Sequence, residues 1–208
     1  MSEAAGSGPD PAIGLLEFSS IAVGIVAGDA MVKSSPVGSI YAGTVHPGNY
    51  LVLVSGDTAS VEEALIAGRE VGAAAMLDQL FLPDIHPAVT GAIVSGAAGA
   101  WAEDDSLGIV ETHTVSAAID GADAGVKAAN VDVGAVQLAD GLGGKGYVLF
   151  FGVIAEIEAA MDAAVDRIGS QLLAHRTIPQ LHSGMAENLA RDLRFMTRVE
   201  ARPGERGG

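Results

Sequence analysis

Ala12-Ile13-Gly14-Leu15-Leu16-Glu17-Phe18 decides the fold, because the chain writes it a second time as Ser106-Leu107-Gly108-Ile109-Val110-Glu111-Thr112. Gly14 and Glu17 return as Gly108 and Glu111, 94 positions on (108 − 14 = 94). Asp29-Ala30, Val32-Lys33 and Val37 return at the same offset as Asp123-Ala124, Val126-Lys127 and Val131. From the glycine-bearing turns onward the offset is 96, pairing Gly48 with Gly144, Gly56 with Gly152, Glu62 with Glu158, Pro83 with Pro179 and His86 with His182 (182 − 86 = 96). Two residues have been gained in the second loop. A unit of about 95 residues exceeds the roughly 20–50 residues of a solenoid repeat, so the pattern reads as two homologous domains in tandem.

Each unit reads as β-α-β-β-α-β. The short apolar run from Ile13 to Phe18 suits a buried strand. A helix follows, capped by Ser19 or Ser20, with Lys33 at its negative end and Pro36 beyond it. Strands at 37–45 and 50–54 flank the turn His46-Pro47-Gly48-Asn49. A second helix spans about 60–75, with Ser60 and Glu63 in capping-box spacing or Thr58 as the alternative cap. Leu80 to Leu82 form a fourth strand, and a short terminal segment runs from Pro83 through His86-Pro87. The second half repeats this order with a strand at 108–111, helices at about 115–128 and 154–168, strands flanking Gly141-Leu142-Gly143-Gly144, and a last strand at 172–178. The expected class is α+β, with helices on one face of a mainly antiparallel sheet and a short terminal helix closing each unit, related to the ferredoxin-like split β-α-β arrangement. The expected organisation is a flexible N-terminus 1–11, a first domain 12–94, a small, acidic linker 95–105, a second domain 106–185, and a C-terminal extension 186–208 with a helical stretch from Met185 to Met196 and a frayed end.

Composition narrows the function. A formal charge of −15 and only 11 scattered basic residues argue against nucleic-acid or anionic-membrane partners, which are bound through clustered Lys and Arg. The absence of cysteine excludes disulfides, thiolate metal sites and cysteine nucleophiles. The opening MSEAAGSGPDP lacks the basic and apolar regions of a secretion signal, and the run YVLFFGVIA at 147–155 is stopped by Glu156, so a soluble, cytosolic chain is expected. Gly141-Leu142-Gly143-Gly144-Lys145-Gly146 fits G-x-G-x-x-G literally, but a strand-like segment follows where a phosphate loop needs a helix N-terminus. His46, His86, His113, His175 and His182 form no recognised metal spacing, and no serine sits in a nucleophile-elbow pattern, so catalysis is not expected.

The stretch Gly28-Asp29-Ala30-Met31-Val32-Lys33-Ser34, the Gly56-Asp57 pair before an Ala-rich helix, and the doubling of the unit resemble the bacterial microcompartment shell domain over residues 12–90 and 106–185. Two fused copies make the chain similar to the tandem-domain class of that family. The ordered motifs Thr44-Val45-His46-Pro47-Gly48, Leu82-Pro83-Asp84-Ile85-His86-Pro87, Gly108-Ile109-Val110-Glu111-Thr112 and Gly141-Leu142-Gly143-Gly144-Lys145 are most similar to tandem members from propanediol-utilising compartments.

The resemblance implies a non-enzymatic structural tile, a homotrimeric pseudohexamer that packs with other shell proteins around metabolic enzymes, with a central pore for small metabolites. By family correspondence the pore-lining turns are His46, Pro47 and Gly48 in one repeat and Leu142, Gly143 and Gly144 in the other, and Lys33 and Lys127 match the tile-edge lysine. The accompanying edge arginine is replaced by Asp84 and Gln180, which suggests a minor tile joining sheets of other shell proteins. The propanediol-type relative uses a cysteine of the first pore turn to hold an iron-sulfur cluster on the axis, and His46 stands there instead, so no cofactor is expected. Three copies of His46 around an axis would leave two alternatives, a pore rim or a transition-metal site. A small-molecule-binding regulator or enzyme built on the duplicated fold is the reading from another functional class.

Overall fold

The computed structural model describes residues 11–95, 105–139 and 141–189. In the first domain β1 (Ala12–Phe18), α1 (Ile21–Ser34), β2 (Ser39–Val45), β3 (Asn49–Gly56), α2 (Thr58–Gly72), β4 (Met76–Leu82) and α3 (Pro87–Ser95) follow one another. The second domain repeats them as β5 (Ser106–Thr112), α4 (Val115–Ala128), β6 (Asp132–Leu138), β7 (Gly146–Gly152), α5 (Ile154–Ile168), β8 (Leu172–Ile178) and α6 (Ser183–Leu189). Each sheet is antiparallel, in the orders β2-β3-β1-β4 and β6-β7-β5-β8. The first strand of each unit is central and flanked on both sides, which is why β1 is buried at all seven positions and reads as one apolar run.

The two-residue period of β1 divides its side chains between two cores. Leu16 and Phe18 join Met31, Val52, Val54 and Val61 under α1 and α2. Gly14 belongs to that face too, since a Cβ there would lie 2.8 Å from the Leu65 side chain. Ile13 and Leu15 point the other way and, with Leu80 and Leu82, enter a cluster that includes Val115, Ile119 and Ala122 of α4. The second domain therefore supplies part of the first domain's core, as expected when each unit is too small to bury both sheet faces by itself.

Four expectations need correcting. The cap of α2 is Asp57, whose carboxylate accepts the Ser60 N–H at 3.0 Å, whereas Thr58 and Ser60 both lie inside the helix. A carboxylate directly after the β3 turn reaches the helix N–H groups first and suits the positive end of the dipole. The fourth strand starts at Met76, not Leu80. Its first half alternates in exposure and carries no apolar run, yet Met76, Asp78 and Gln79 pair with Phe18, Glu17 and Leu16. The segment after Pro83 ends in the nine-residue helix α3, so Ser95, expected to open the linker, is helical. The described part of the C-terminal helix is Ser183–Leu189, starting two residues before Met185. Residues 96–104 and 190–208, where most of the expected linker and extension fall, lie outside the described residues.

Candidate functional site

The two turns singled out in the sequence differ in length and meet in space. Val45 pairs with Asn49 across residues 46–48, with the Gly48 N–H donated to the Val45 carbonyl at 2.9 Å. In the second domain Ala139 donates to the Lys145 carbonyl at 3.0 Å, so five residues, 140–144, replace those three. This is the two-residue gain behind the change of offset. Positive φ angles at Gly48 (126°), Gly141 (74°), Gly143 (66°) and Gly144 (91°) explain the glycines at these tight reversals. A Cβ on Gly144 would stand 3.4 Å from Pro47 Cδ and 3.8 Å from the His46 carbonyl oxygen. The fold thus brings His46, Pro47 and Gly144 together, with Gly48, Leu142 and Gly143 on the same two turns. Lys145 ties the longer turn to the central strand through an ion pair with Glu111 at 2.9 Å. β7 begins at Gly146, so the glycine-rich run is a hairpin turn with no helix N-terminus behind it.

A second constellation joins the domains. The Glu17 carboxylate, at the end of β1, accepts the Ser116 N–H and that of Val115 at the N-terminus of α4. Burial pushes its carboxyl above the ordinary 4.5, and the two helix N–H groups and the Ser116 side chain oppose that shift. Thr114, the α4 cap, donates its hydroxyl to Asp78 of β4. Asp123 accepts the His86 N–H at 2.8 Å and pairs with Lys127 at 2.7 Å, while Lys127 also donates to the Asp84 carbonyl. Near the same junction Asp120 takes both its carboxylate oxygens to Arg167 Nε at 2.9 Å. Burial raises the Asp120 carboxyl above 3.8, Arg167 opposes this, and the charges of Asp123 and Asp78 add to the rise.

The remaining candidates are placed more simply. Lys33 pairs with Asp29 at 2.5 Å and is 72% exposed, whereas Lys127, its repeat partner, is half-exposed and already committed across the junction. His86 and His182 play matching local parts, their Nδ1 atoms accepting the N–H of Ala88 and Gly184. His113 donates its backbone N–H to the Gln171 carbonyl, and His175 lies on β8. Among the described residues no group of three or more His, Asp or Glu is gathered to hold a metal. The chain has no thiolate to offer an iron-sulfur cluster, so the donor set does not fit that group. No helix among the described residues is long and apolar enough to cross a membrane. The junction residues Glu17, Asp78 and Asp123 carried no role in the sequence. Glu17 and Asp123 did recur, as Glu111 in a strand and Asp29 on a helix, whereas Asp78 has Ala174 as its repeat partner.

Tandem four-stranded antiparallel sheets with this order, each backed by two helices, define a duplicated α+β domain of the split β-α-β kind. The BMC domain family model matches residues 12–85 and again 106–181, and the chain belongs to that family of bacterial microcompartment shell proteins. It is 40% identical over 176 residues to the bacterial microcompartment shell protein PduT of Citrobacter freundii, covering 84% of this chain and 95% of that protein. A microcompartment protein from Desulfitobacterium hafniense matches at TM-score 0.72 and 37% identity, covering 85% of this chain and 98% of that one. A fused permuted hexameric shell protein from the RMM microcompartment shares the fold at TM-score 0.57 and 20% identity, covering 80% of this chain and 85% of that one. As a family member the chain is a structural shell component and not a catalyst, and proteins of this kind assemble with themselves and with other shell proteins.

Proposed function

We propose that the chain closes into a homotrimeric pseudohexamer, a shell tile whose central pore passes small metabolites. One observation carries this reading. The first domain covers α4, leaving Val115 1% and Ile119 0% exposed, while their repeat partners on α1, Ile21 and Ile25, stand 41% and 52% exposed. The junction within the chain joins two unlike faces, and each domain's other face is left over. Head-to-tail contacts of this kind close into a ring when the rotation returns to its start, and three two-domain chains supply the six units of a hexagonal tile.

In that ring the turns at His46-Pro47-Gly48 and Leu142-Gly143-Gly144 line the pore, alternating two unlike loops. Their mutual contact within one chain supports this. His46 is a pore rim. Lys33 and Lys127 lie at the tile edge, Lys33 with an exposed stem and Lys127 with its ammonium held by Asp123 and the Asp84 carbonyl. The absence of cysteine makes a direct test available. His46→Cys introduces a single thiol per chain, and a short thiol-reactive cross-linker should yield covalent dimers and trimers on a denaturing gel, from particles of three-chain mass by sedimentation. Particles of three-chain mass that give only monomers on the gel would overturn the pore assignment. Single chains by sedimentation would overturn the ring.

A further inference from the structure

The basic residues are scattered through the two domains and then gather at the end of the chain. Arg191, Arg194, Arg198, Arg202 and Arg206 make five of the 11, and residues 190–208 hold only three acids, Asp192, Glu200 and Glu205. The extension is therefore positive (5 − 3 = +2) on a chain whose remainder is strongly negative (6 − 23 = −17). These arginines stand beyond residue 181, where the shell domain ends. Their steps of three and four residues interleave with Leu189, Leu193, Met196 and Val199 at the same steps, the spacing that sorts basic and apolar residues to opposite sides of a helix.

The two domains carry matching rows of the other sign. The exposed side of α5 presents Glu158, Asp162 and Asp166, four residues apart, and α2 presents Glu62, Ile66 and Glu70 at the counterpart positions 96 earlier. Like charges at this spacing oppose a helix, yet both ends of the row are acidic in both domains. No cation within the domains neutralises them. Among the described residues each of the six Lys and Arg side chains bonds another group, and none of those bonds reaches either row.

We infer that the arginine row of one copy docks on the acidic rows of α2 and α5 of a second copy. The sheet favours a second copy over a fold-back onto the same chain. Along β5, Gly108 faces α5, where a Cβ would lie 2.8 Å from the Met161 side chain, while Leu107 faces the other way and joins the cluster on which Leu189 packs. The extension thus leaves from one side of the sheet and the α5 row lies on the other. A copy laid against the first side brings its own helices to the arginines. Ile66, 45% exposed midway along the α2 row, gives the arginine stems an apolar place to lie. Each exposed pair strengthens binding by no more than about fivefold, so the rows act by number. The docking does not need the ring, and a ring would multiply it.

The experiment follows the mass of the full chain by sedimentation velocity from about 10 mM to about 1 M salt, over which the Debye length falls from about 30 Å to about 3 Å. Circular dichroism checks folding. The wild type should pass from multiples of its unit at low salt to the unit alone at high salt. Arg191→Gln, Arg194→Gln, Arg198→Gln and Arg202→Gln combined should weaken the low-salt association about tenfold or more, and so should Glu62→Gln, Glu70→Gln, Glu158→Gln, Asp162→Asn and Asp166→Asn combined. Mixing the two variants should restore association, since one keeps the acids and the other the arginines. A wild type that stays at its unit mass at low salt, as a fold-back or a capture of nucleic acid or anionic lipid requires, overturns the inference. Association that needs the arginines and not the acids, or a mixture that regains nothing, overturns it as well. The mass at high salt reports on the ring separately, so either reading can fail without the other.

Discussion

The two domains fill one topology with opposite choices of size. In the first, the large residue is on the sheet: Phe18 fills the space over Gly72, where a Cβ would lie 2.2 Å from its ring. In the second, Thr112 and Ile168 take those places, and the bulk of Ile168 goes to Gly121 of α4, at 2.5 Å from a Cβ there. The exchange recurs nearby. Tyr50 presses on Gly24 in one domain, while Gly146 makes room for the Ala118 methyl in the other. Close packing constrains the summed volume at each contact more than the residue at any one position, so the copies could drift in pairs while the fold stayed the same.

Transplanting one half of a pair should break this balance. Gly72→Ile, which gives the first domain the residue of the second, should cost more than about 3 kcal/mol or prevent folding, since overpacking by several methylenes exceeds the usual range of about 1–3 kcal/mol. Adding Phe18→Thr should recover most of the loss in a urea melt, and failure to recover would mean that the two positions are not exchanged partners.

The caps sharpen the comparison next. Glu17 holds its proton more tightly folded than unfolded, because burial raises its pKa above 4.5. Its contribution to stability therefore falls as pH climbs from 4.5 through the raised value and is flat beyond. Glu17→Gln keeps an acceptor for α4 and removes the charge, so its stability relative to wild type should rise over that interval. A difference that is constant with pH would refute the role of the buried charge.

The smallest expected effect separates the lysines. Lys127→Met removes a bond to the Asp84 carbonyl and a pair with buried Asp123, and should cost about 1–2 kcal/mol. Lys33→Met removes an exposed pair along one helix and should cost about 0.3–0.5 kcal/mol. Equal losses in urea melts would show that the junction bond adds nothing.

Local signals made much of this legible. Helices 115–128 and 154–168 and the strand 172–178 lie where apolar spacing and punctuating glycine and proline put them. The two turns were found because Gly and Pro mark tight reversals whatever the surroundings. α3 was expected as a short terminal helix but its bounds were not set, because Ala88, Gly91, Ala92 and Val94 give a small apolar segment with no polar face to set a helical period. β4 was shortened because its half-exposed start is defined by pairing with β1 and not by its own residues. The junction was invisible for a stronger reason. Glu17 and Ser116 are 99 positions apart, and no local pattern tells a strand glutamate that its partner is a helix end in another domain.

The contrast between the charged trio Asp78, Asp120 and Arg167 and its apolar counterpart Ala174, Val26 and Val71 bears on the order of assembly. Two domains on one chain meet at an effective concentration of order millimolar, so their contact tolerates partly buried charge such as that of Asp120. Separate chains meet at whatever concentration the cell supplies, and their contact must be tighter in its own right. In the proposed ring of three chains, fusion of the repeats would relax selection on the three contacts within chains and concentrate it on the three between them, leaving an organism free to tune tile formation by substitutions on a single helix.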